Sequence, residues 1–339
     1  MDLTLVKDAR RLGDASATLT ATPQNPIPLG AIVRRVRTAD GLVLRVARWG
    51  APSKPARGTV AIFPGHAEFI EKYFEVVGEL LARGFAVAVL DWRGQGGSAR
   101  ELANPRKGHV DDFSHYLRDV AAFAAEVIEP YCPKPWFGLG HSMGATILLT
   151  GAHDRVLPFE RLLLVAPMLK IALVRRPRAA RLLGQTLDVL GLGGAFVPGG
   201  SAIPAHTRPF PGNPLTSDPV RYGRTAAVTA AAPHLAIGSP TVSWINAAFR
   251  LRARLSDPDY PRRILMPTLI VACGADTIVD TPTIERFAAS LKAGSHIVVP
   301  HAKHELLMER NVFREQFWAA FDAFIPGSTS QFTLGKAAR

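Results

Sequence analysis

The sequence predicts an α/β protein with a mostly parallel central sheet, flanked by helices and interrupted by a mainly helical insertion. Short apolar segments alternate with amphipathic segments in two separate stretches of the chain, which is typical of parallel strands joined by helices. The strand-like segments are nearly continuous apolar runs, as expected for a sheet covered on both faces. Between the two stretches the alternation stops, which indicates the insertion.

The predicted elements follow in chain order. Segments 32–37 and 42–49 flank Asp40-Gly41, a dipeptide that favours a tight hairpin turn, so an antiparallel edge opens the sheet. Further strands are predicted at 59–63, 85–90, 136–139, 162–165, 269–272 and 295–299. Apolar residues at helical spacing predict helices at 73–83, 110–129, 143–153, 282–291 and 311–324.

The insertion is assigned to residues 168–258. It holds a Gly- and Pro-rich stretch at 191–214 and shows no strand pattern, with helices expected only within 178–190 and 242–255. The predicted organisation therefore has four parts: an N-terminal lead-in at 1–30, a core in two pieces at 31–167 and 259–326, a cap or lid between them at 168–258, and a flexible polar tail at 327–339.

Composition excludes several classes of protein. A chain of 339 residues with 47% hydrophobic and 20% charged residues is typical of a globular protein that folds without disulfides or structural metals. Its two cysteines, Cys132 and Cys273, have no metal-ligand spacing, which argues against a disulfide framework or a zinc site. The charged N-terminus lacks the apolar core of a signal peptide, and no spanning segment is evident. A cytoplasmic location is predicted.

The positive charge is partly clustered. The formal net charge is +12, and one basic run has no acid before Asp188. No nucleic-acid-binding motif or interleaved aromatic residue accompanies this run, so nucleic acid is not a predicted partner. Peripheral contact with an anionic membrane surface, at the inner face, suits the run better, and a plain solvated surface is the alternative. The run consists of Lys170, Arg175, Arg176, Arg178 and Arg181.

The sharpest motif is Gly140-His141-Ser142-Met143-Gly144. It matches G-x-S-x-G and lies between a predicted strand and a predicted helix, the context in which the serine is a nucleophile. A sharp strand-to-helix turn lifts the hydroxyl above the sheet, and the glycines permit that turn. The alternative reading is a serine that caps the helix. The amide of Met143 would point at a developing oxyanion from the start of the helix.

A serine nucleophile needs a base and an acid that orients the base, in the chain order Ser, acid, His. Asp276 follows the strand 269–272 and is the predicted acid, with Asp280 its competitor and the more suitable helix cap. His304 lies deep in the loop after strand 295–299 and is the predicted base. His301 is the competing histidine.

The second oxyanion donor is expected in the loop after strand 59–63. That loop reads Pro64-Gly65-His66-Ala67-Glu68. Gly65 allows close approach of the backbone to a ligand. The amide of His66 is the predicted donor, with that of Ala67 as the alternative.

These motifs carry a resemblance. Residues 63–73, Asp91-Trp92-Arg93-Gly94-Gln95-Gly96-Gly97-Ser98, the Ser142 motif, Gly274-Ala275-Asp276 and 301–305 resemble the lysophospholipase L2 and monoacylglycerol lipase group of α/β hydrolases, of the serine aminopeptidase S33 type. The resemblance spans roughly 31–326, although the cap matches only in position. It implies the α/β-hydrolase fold, a triad of Ser142, Asp276 and His304, an oxyanion hole of His66 and Met143, and no cofactor or metal.

The resemblance further implies a lipid or other small ester as substrate, with the acyl chain under the cap. Monoacylglycerol lipases begin the oxyanion loop with His-Gly, where this chain has Pro64-Gly65, and this departure favours the lysophospholipase L2 branch. A small-ester carboxylesterase and an S33-type peptidase are the alternatives within the enzymes. A non-catalytic binding protein would be expected to lack a triad member, and all three are present.

Overall fold

The computed structural model describes residues 18–52, 55–172 and 176–326. Its centre is an eight-stranded sheet in the order β1-β2-β4-β3-β5-β6-β7-β8. β1 and β2 pair antiparallel, β2 pairs antiparallel with β4, and every other pairing is parallel. The predicted fold class is thereby confirmed. The strands are β1 Ile32–Arg37, β2 Val43–Trp49, β3 Thr59–Phe63, β4 Ala86–Leu90, β5 Trp136–His141, β6 Arg161–Val165, β7 Thr268–Cys273 and β8 Gly294–Val299.

Helices cover both faces of this sheet and form most of the region between β6 and β7. Two departures from prediction stand out: the second helix begins later than expected, and the fifth was not predicted. The helices are α1 Phe74–Ala82, α2 Ser114–Phe123, α3 Met143–His153, α4 Pro177–Val189, α5 Pro219–Ala231, α6 Val242–Leu255, α7 Thr281–Ala289 and α8 Asn311–Phe324.

Both departures have local causes. The side chain of Asp112 accepts a hydrogen bond from the Ser114 amide at 2.8 Å, so α2 starts there rather than at residue 110. After Phe123 the chain stays helical through a π turn, Ala124–Ile128, and a last turn, Glu129–Tyr131. The sequence of α5 is rich in small residues and lacks a clear apolar stripe, which hides the helix. Its available signal was Asp218 followed by Pro219, an N-cap and a first-turn proline.

The parallel arrangement brings functional loops to one edge of the molecule. β3, β4, β5 and β7 are buried along their whole length, so their side chains form the core on both faces of the sheet. The loops that follow β3, β5, β7 and β8 all leave from the carboxyl edge of the sheet. These are the loops that hold the sequence-predicted site residues.

The predicted cap, residues 168–258, contains α4, α5 and α6 and none of the eight strands in its described residues. Its status as a separate insertion stays a prediction. Within the predicted lead-in, the described residues 18–30 lie against the core: Asn25 Nδ2 donates to the carbonyl of Glu71 at 2.9 Å, and Trp49 Nε1 donates to that of Pro28 at 3.0 Å. Residues 1–17, the predicted tail 327–339 and Arg175 lie outside the described residues.

The described residues lack two features that would bear on function. Within 18–52, 55–172 and 176–326, no cluster of three or more His, Cys, Asp or Glu side chains could hold a metal ion. In the same ranges, no helix has both the length and the apolar character needed to cross a membrane. Cys132 and Cys273 are both buried free thiols. A cytoplasmic location stays a prediction.

Candidate active site

Ser142 occupies a strained turn between β5 and α3. Its backbone has φ 50° and ψ −113°, a region that costs a non-glycine residue about 1–3 kcal/mol. The Ser142 amide donates to the carbonyl of Val165 at 2.9 Å, which fixes the turn over β6. A Cβ at Gly144 would lie 2.2 Å from the Phe63 carbonyl oxygen, and one at Gly140 would lie 2.7 Å from Cα of Ala145. Only glycine permits this close contact of α3 with β3 and β5.

The structure brings the three residues predicted as a triad into one hydrogen-bonded series. His304 Nε2 lies 3.0 Å from Ser142 Oγ, and His304 Nδ1 lies 2.6 Å from Asp276 Oδ2. The other carboxylate oxygen of Asp276 accepts from the amides of Ile278 at 2.7 Å and Val279 at 3.0 Å. Because Asp276 holds a proton on Nδ1, Nε2 is left to accept the serine proton.

The two competing residues lie outside this series. Asp280 caps α7, where its side chain accepts from the Thr283 amide at 3.0 Å and pairs with Lys170 Nζ at 2.8 Å. Its predicted role as a helix cap is confirmed. His301 is exposed and has a φ of 61° in the turn after β8. Neither residue makes a hydrogen bond to Ser142 or His304 in the described structure.

The loop after β3 is held by the segment 91–98. Trp92 Nε1 donates to the Pro64 carbonyl at 2.7 Å, and Gln95 Nε2 donates to the Gly65 carbonyl at 2.8 Å. The side-chain oxygen of Gln95 accepts from the Ala67 amide at 3.2 Å. The Asp91-to-Ser98 motif therefore supports this loop through several fixed contacts.

The backbone amides near Ser142 differ in whether they are already engaged. The Gly65 amide donates to the Glu68 carboxylate, and the Ala67 amide is taken by Gln95. The amides of His66 and Met143 donate to no acceptor among the described residues. Of the two amides considered in this loop, that of His66 is therefore the one left available for an oxyanion.

A buried ion network underlies the loop. Lys72 Nζ lies 2.7 Å from one oxygen of Glu68 and 2.6 Å from one oxygen of Glu305. The Tyr73 hydroxyl also donates to Glu68, at 2.6 Å. Burial raises the pKa of each carboxyl group, but Lys72 acts together with His141 at Glu68 and with His206 at Glu305 to outweigh it. The pKa of Glu68 therefore lies well below its usual range and that of Glu305 falls to about 2. Both carboxylates are therefore ionised and share one cation.

Two histidines connect this network to its surroundings. His141 Nδ1 lies 3.2 Å from Glu68, and His141 Nε2 lies 3.1 Å from the His304 carbonyl. Burial lowers the pKa of His141, but the charge and hydrogen bond of Glu68 outweigh burial and leave that pKa raised. His206, from the predicted cap, lies 3.3 Å from Glu305. No role was predicted for these charged residues from the sequence. The available signal was the four-residue spacing of the opposite charges Glu68 and Lys72.

The ring of His66 is packed beneath the predicted cap. Its centroid lies 4.8 Å from that of Trp244, and Nε2 is buried without a partner among the described residues. Burial lowers the pKa of His66 to about 4, against a small opposing effect of Glu68. The ring is therefore neutral at physiological pH.

A cavity of about 660 Å³ opens from the Ser142–His304 pair into the predicted cap. Its volume lies within the range of pockets that hold organic ligands. Aliphatic and aromatic side chains form most of its lining. Those from the cap include Leu183, Leu187, Ile203, Ile245 and Phe249.

Comparisons with known proteins agree with this architecture. The family model described as "Serine aminopeptidase, S33" matches residues 54–311. The chain is 32% identical over 293 residues to "Lysophospholipase L2" of Escherichia coli strain K12, covering 81% of this chain and 82% of the relative. It is 30% identical over 176 residues to "Monoglyceride lipase" of Rattus norvegicus, covering 51% of this chain and 55% of that protein.

Solved structures show the same fold. A thermostable carboxyl esterase from Bacillus coagulans, in complex with glycerol, superposes with a TM-score of 0.71 at 18% identity. The match covers 88% of this chain and 99% of that structure. At this level of identity the likeness demonstrates a common α/β-hydrolase fold.

Proposed function

The chain belongs to the serine aminopeptidase S33 family of hydrolases, and on that premise we propose that it cleaves the carboxylic ester of a lysophospholipid or monoacylglycerol through an acyl-enzyme. One observation carries the proposal: Ser142 and His304, the two hydrogen-bonded members of the series that starts at Asp276, line a large and mostly apolar cavity. A catalytic serine that faces such a cavity suits an ester with a long acyl chain.

The geometry supports a two-step reaction. Ser142 Oγ attacks the ester carbonyl while His304 Nε2, 3.0 Å away, takes the hydroxyl proton. Asp276 holds the imidazole and stabilises its charged form. The amides of His66 and Met143 bind the oxyanion, and loss of one such donor typically slows a reaction by about 10²–10³-fold. His304 then gives its proton to the departing alcohol.

The second step regenerates the enzyme. Water enters the place of the alcohol, and His304 removes its proton as the oxygen attacks the acyl carbonyl. The tetrahedral intermediate collapses, Ser142 Oγ takes the proton back, and the fatty acid leaves. Both steps use the same base and the same amides, and this chemistry needs no cofactor.

The cavity favours a lipid over a small ester or a peptide. Each methylene that moves from water into an apolar lining contributes about 0.8 kcal/mol. A peptide would need several polar partners for its backbone, whereas the cap side of the cavity is mainly aliphatic and aromatic. The relative named lysophospholipase L2 aligns over most of both chains, and the monoglyceride lipase aligns over about half. This difference supports a lysophospholipid as the substrate.

The test compares hydrolysis of lysophosphatidylcholine, monoacylglycerol and a short p-nitrophenyl ester by wild-type protein and by Ser142→Ala. We expect turnover of a long-chain lipid that falls by at least about 10³-fold in Ser142→Ala. Ser290→Ala is a matched control, because Ser290 bonds only within its own helix end. Turnover of the short ester alone would shift the substrate to a small ester, and no Ser142-dependent turnover of any ester would refute the proposal.

We further propose that α4 rests on an anionic membrane surface. Its apolar side chains are unusually exposed: Leu182 is 67% exposed and Val189 is 88% exposed. The exposed cations Arg178 and Arg181 lie on the same helix, and each would contribute about 1 kcal/mol at an anionic surface. Leu183 of this helix also lines the cavity, which gives an acyl chain a route from bilayer to Ser142.

Flotation with vesicles tests this contact. We expect binding to phosphatidylglycerol vesicles that weakens with salt, and about fivefold weaker binding for Arg178→Gln or Arg181→Gln. Arg262→Gln is the control, since Arg262 is an exposed arginine of the core that pairs with Asp259. Equal binding to neutral and anionic vesicles, or an equal effect of Arg262→Gln, would contradict the contact.

A further inference from the structure

The charged groups that line the cavity differ in whether they have an ion-pair partner. Glu68 and Glu305 both line it, and both are paired with the one ammonium of Lys72, at 2.7 and 2.6 Å. Arg208 lines the same cavity, and its guanidinium has no hydrogen-bond or ion-pair partner within the described part of the chain. Arg208 is therefore a cation, without an ion-pair partner in the described residues, that a ligand entering the cavity could bind.

We propose that Arg208 binds the phosphate of the substrate head group and is the residue that selects a lysophospholipid over a monoacylglycerol. This inference rests on the proposed function, since it concerns the same cavity and the same reaction. It adds a residue and a chemical basis for head-group selection, which the shared fold and the triad do not supply.

The backbone of Arg208 is fixed by hydrogen bonds on both its amide and its carbonyl. Arg208 follows a 3₁₀ turn, Ala205–Thr207, and its carbonyl accepts from the Tyr222 hydroxyl at 2.9 Å. In the same turn, the buried ring of His206 lies 3.3 Å from Glu305. Glu305 directly follows His304 in sequence. The turn that carries Arg208 is thus linked through His206 and Glu305 to His304, which lines the same cavity.

The chemistry of the guanidinium matches a phosphate. Arginine presents five N–H donors in a planar fork, which can bind two phosphate oxygens at once. A lysophospholipid carries a phosphodiester with one negative charge, whereas a monoacylglycerol carries a neutral glycerol. The Arg208 side chain is exposed at the cavity wall, so water and salt screen the contact and its effect on affinity should be moderate.

The experiment uses the full chain and two short-chain substrates that share one acyl group: a lysophosphatidylglycerol and a monoacylglycerol, both below their aggregation concentrations. Monomeric substrates keep membrane binding out of the measurement. We expect Arg208→Gln to lower kcat/KM for the lysophospholipid by about 10-fold, mainly through KM, and to change that for monoacylglycerol by less than about twofold. Arg208→Lys should fall between the two, because it keeps the charge but loses the fork.

The controls separate the outcomes. Arg262→Gln, which removes an exposed arginine that does not line the cavity, should leave the ratio of the two activities unchanged. Equal losses on both lipids in Arg208→Gln would mean a structural role and overturn the inference, as would an unchanged ratio. If neither lipid shows Ser142-dependent turnover, the proposed function itself fails. A measurable turnover with an unaltered ratio removes only the role of Arg208.

Discussion

Helices α4 and α5 both lie in the predicted cap, have thirteen residues each and begin with a proline, yet they are held in different ways. α5 is tied to the core by ion pairs: Glu75 of α1 lies 2.6 Å from Arg221 and 2.7 Å from Arg224. The arginines of α4 are exposed, and in the described structure that helix is joined to α6 by hydrogen bonds rather than by ion pairs. Asn246 donates to the Gly184 carbonyl at 2.9 Å, and Ser243 donates to Asp188 at 3.1 Å.

The difference comes from the acids within reach of each helix. The Glu75 cluster joins Glu75, Asp218, Arg221, Arg224 and Arg314 across α1, α5 and α8. No acid of the core pairs with Arg178 or Arg181 in the described residues. We infer that α5 anchors the loop before it, which forms part of the cavity wall through Ala205, Arg208 and Leu215. If the proposed membrane contact holds, α4 is the part of the cap that would meet the lipid surface.

The largest expected effect is loss of the acid at the centre of the Glu75 cluster. Glu75→Gln leaves three arginines close together without their shared carboxylate, and removing one partner of a largely buried pair costs about 3 kcal/mol. Arg181→Gln on α4 should change the free energy of unfolding by less than about 0.5 kcal/mol. Urea denaturation of both variants measures the contrast, and similar values for the two would end the distinction between a fixed and a loosely held helix.

The second largest effect concerns how the stability of the protein depends on pH. Burial raises the pKa of Glu75, but Arg221 and the neighbouring arginines outweigh burial and lower it to about 2 from 4.5. A depressed pKa in the folded state stabilises the protein above the unfolded value, and that contribution is lost as pH falls. We expect the stability difference between wild type and Glu75→Gln to shrink by about 2 kcal/mol between pH 6 and pH 3. A difference that stays constant over this range would contradict the assignment.

The smallest effect concerns the starts of the two helices. The Asp218 side chain accepts from the amides of Val220 and Arg221, at 2.9 and 3.0 Å, whereas Arg176 makes no capping bond at the start of α4. Asp218→Ala should destabilise the protein by about 1–2 kcal/mol through loss of the cap and of the pair with Arg221. Thermal unfolding of Arg176→Ala should match wild type, and a comparable loss in both variants would show that capping does not distinguish the helices.

Features of this structure that depend on neighbouring residues could be predicted from the sequence, whereas those that depend on residues far apart in the chain could not. The strands and the Ser142 turn were predictable because each depends on residues adjacent in the chain: an apolar run, or two glycines beside a serine. Asp276 and His304 could be chosen because the order of strands places both after strands at the same edge of the sheet. The fold class follows from the same local patterns.

The ion pairs could not be predicted in this way. Glu75 and Arg221 are far apart in the chain and come together only in the folded structure. The residues around each of them do not indicate the pairing. The same holds for Lys72 and Glu305. The helix α5 was missed for a related reason: its stability derives from its cap and from these distant acids, because its own sequence lacks a strong apolar stripe.

The position of Lys72 has a consequence for how such a chain can change over generations. Its single ammonium group serves two acids, one in the loop beside the His66 amide and the other next to His304. Replacement of Lys72 alone would leave two buried anions without a cation. Replacement of either acid alone would leave Lys72 paired only with the other acid. We therefore expect these three positions to vary together among descendants of this sequence, so that the two sides of the cleft are inherited as a unit.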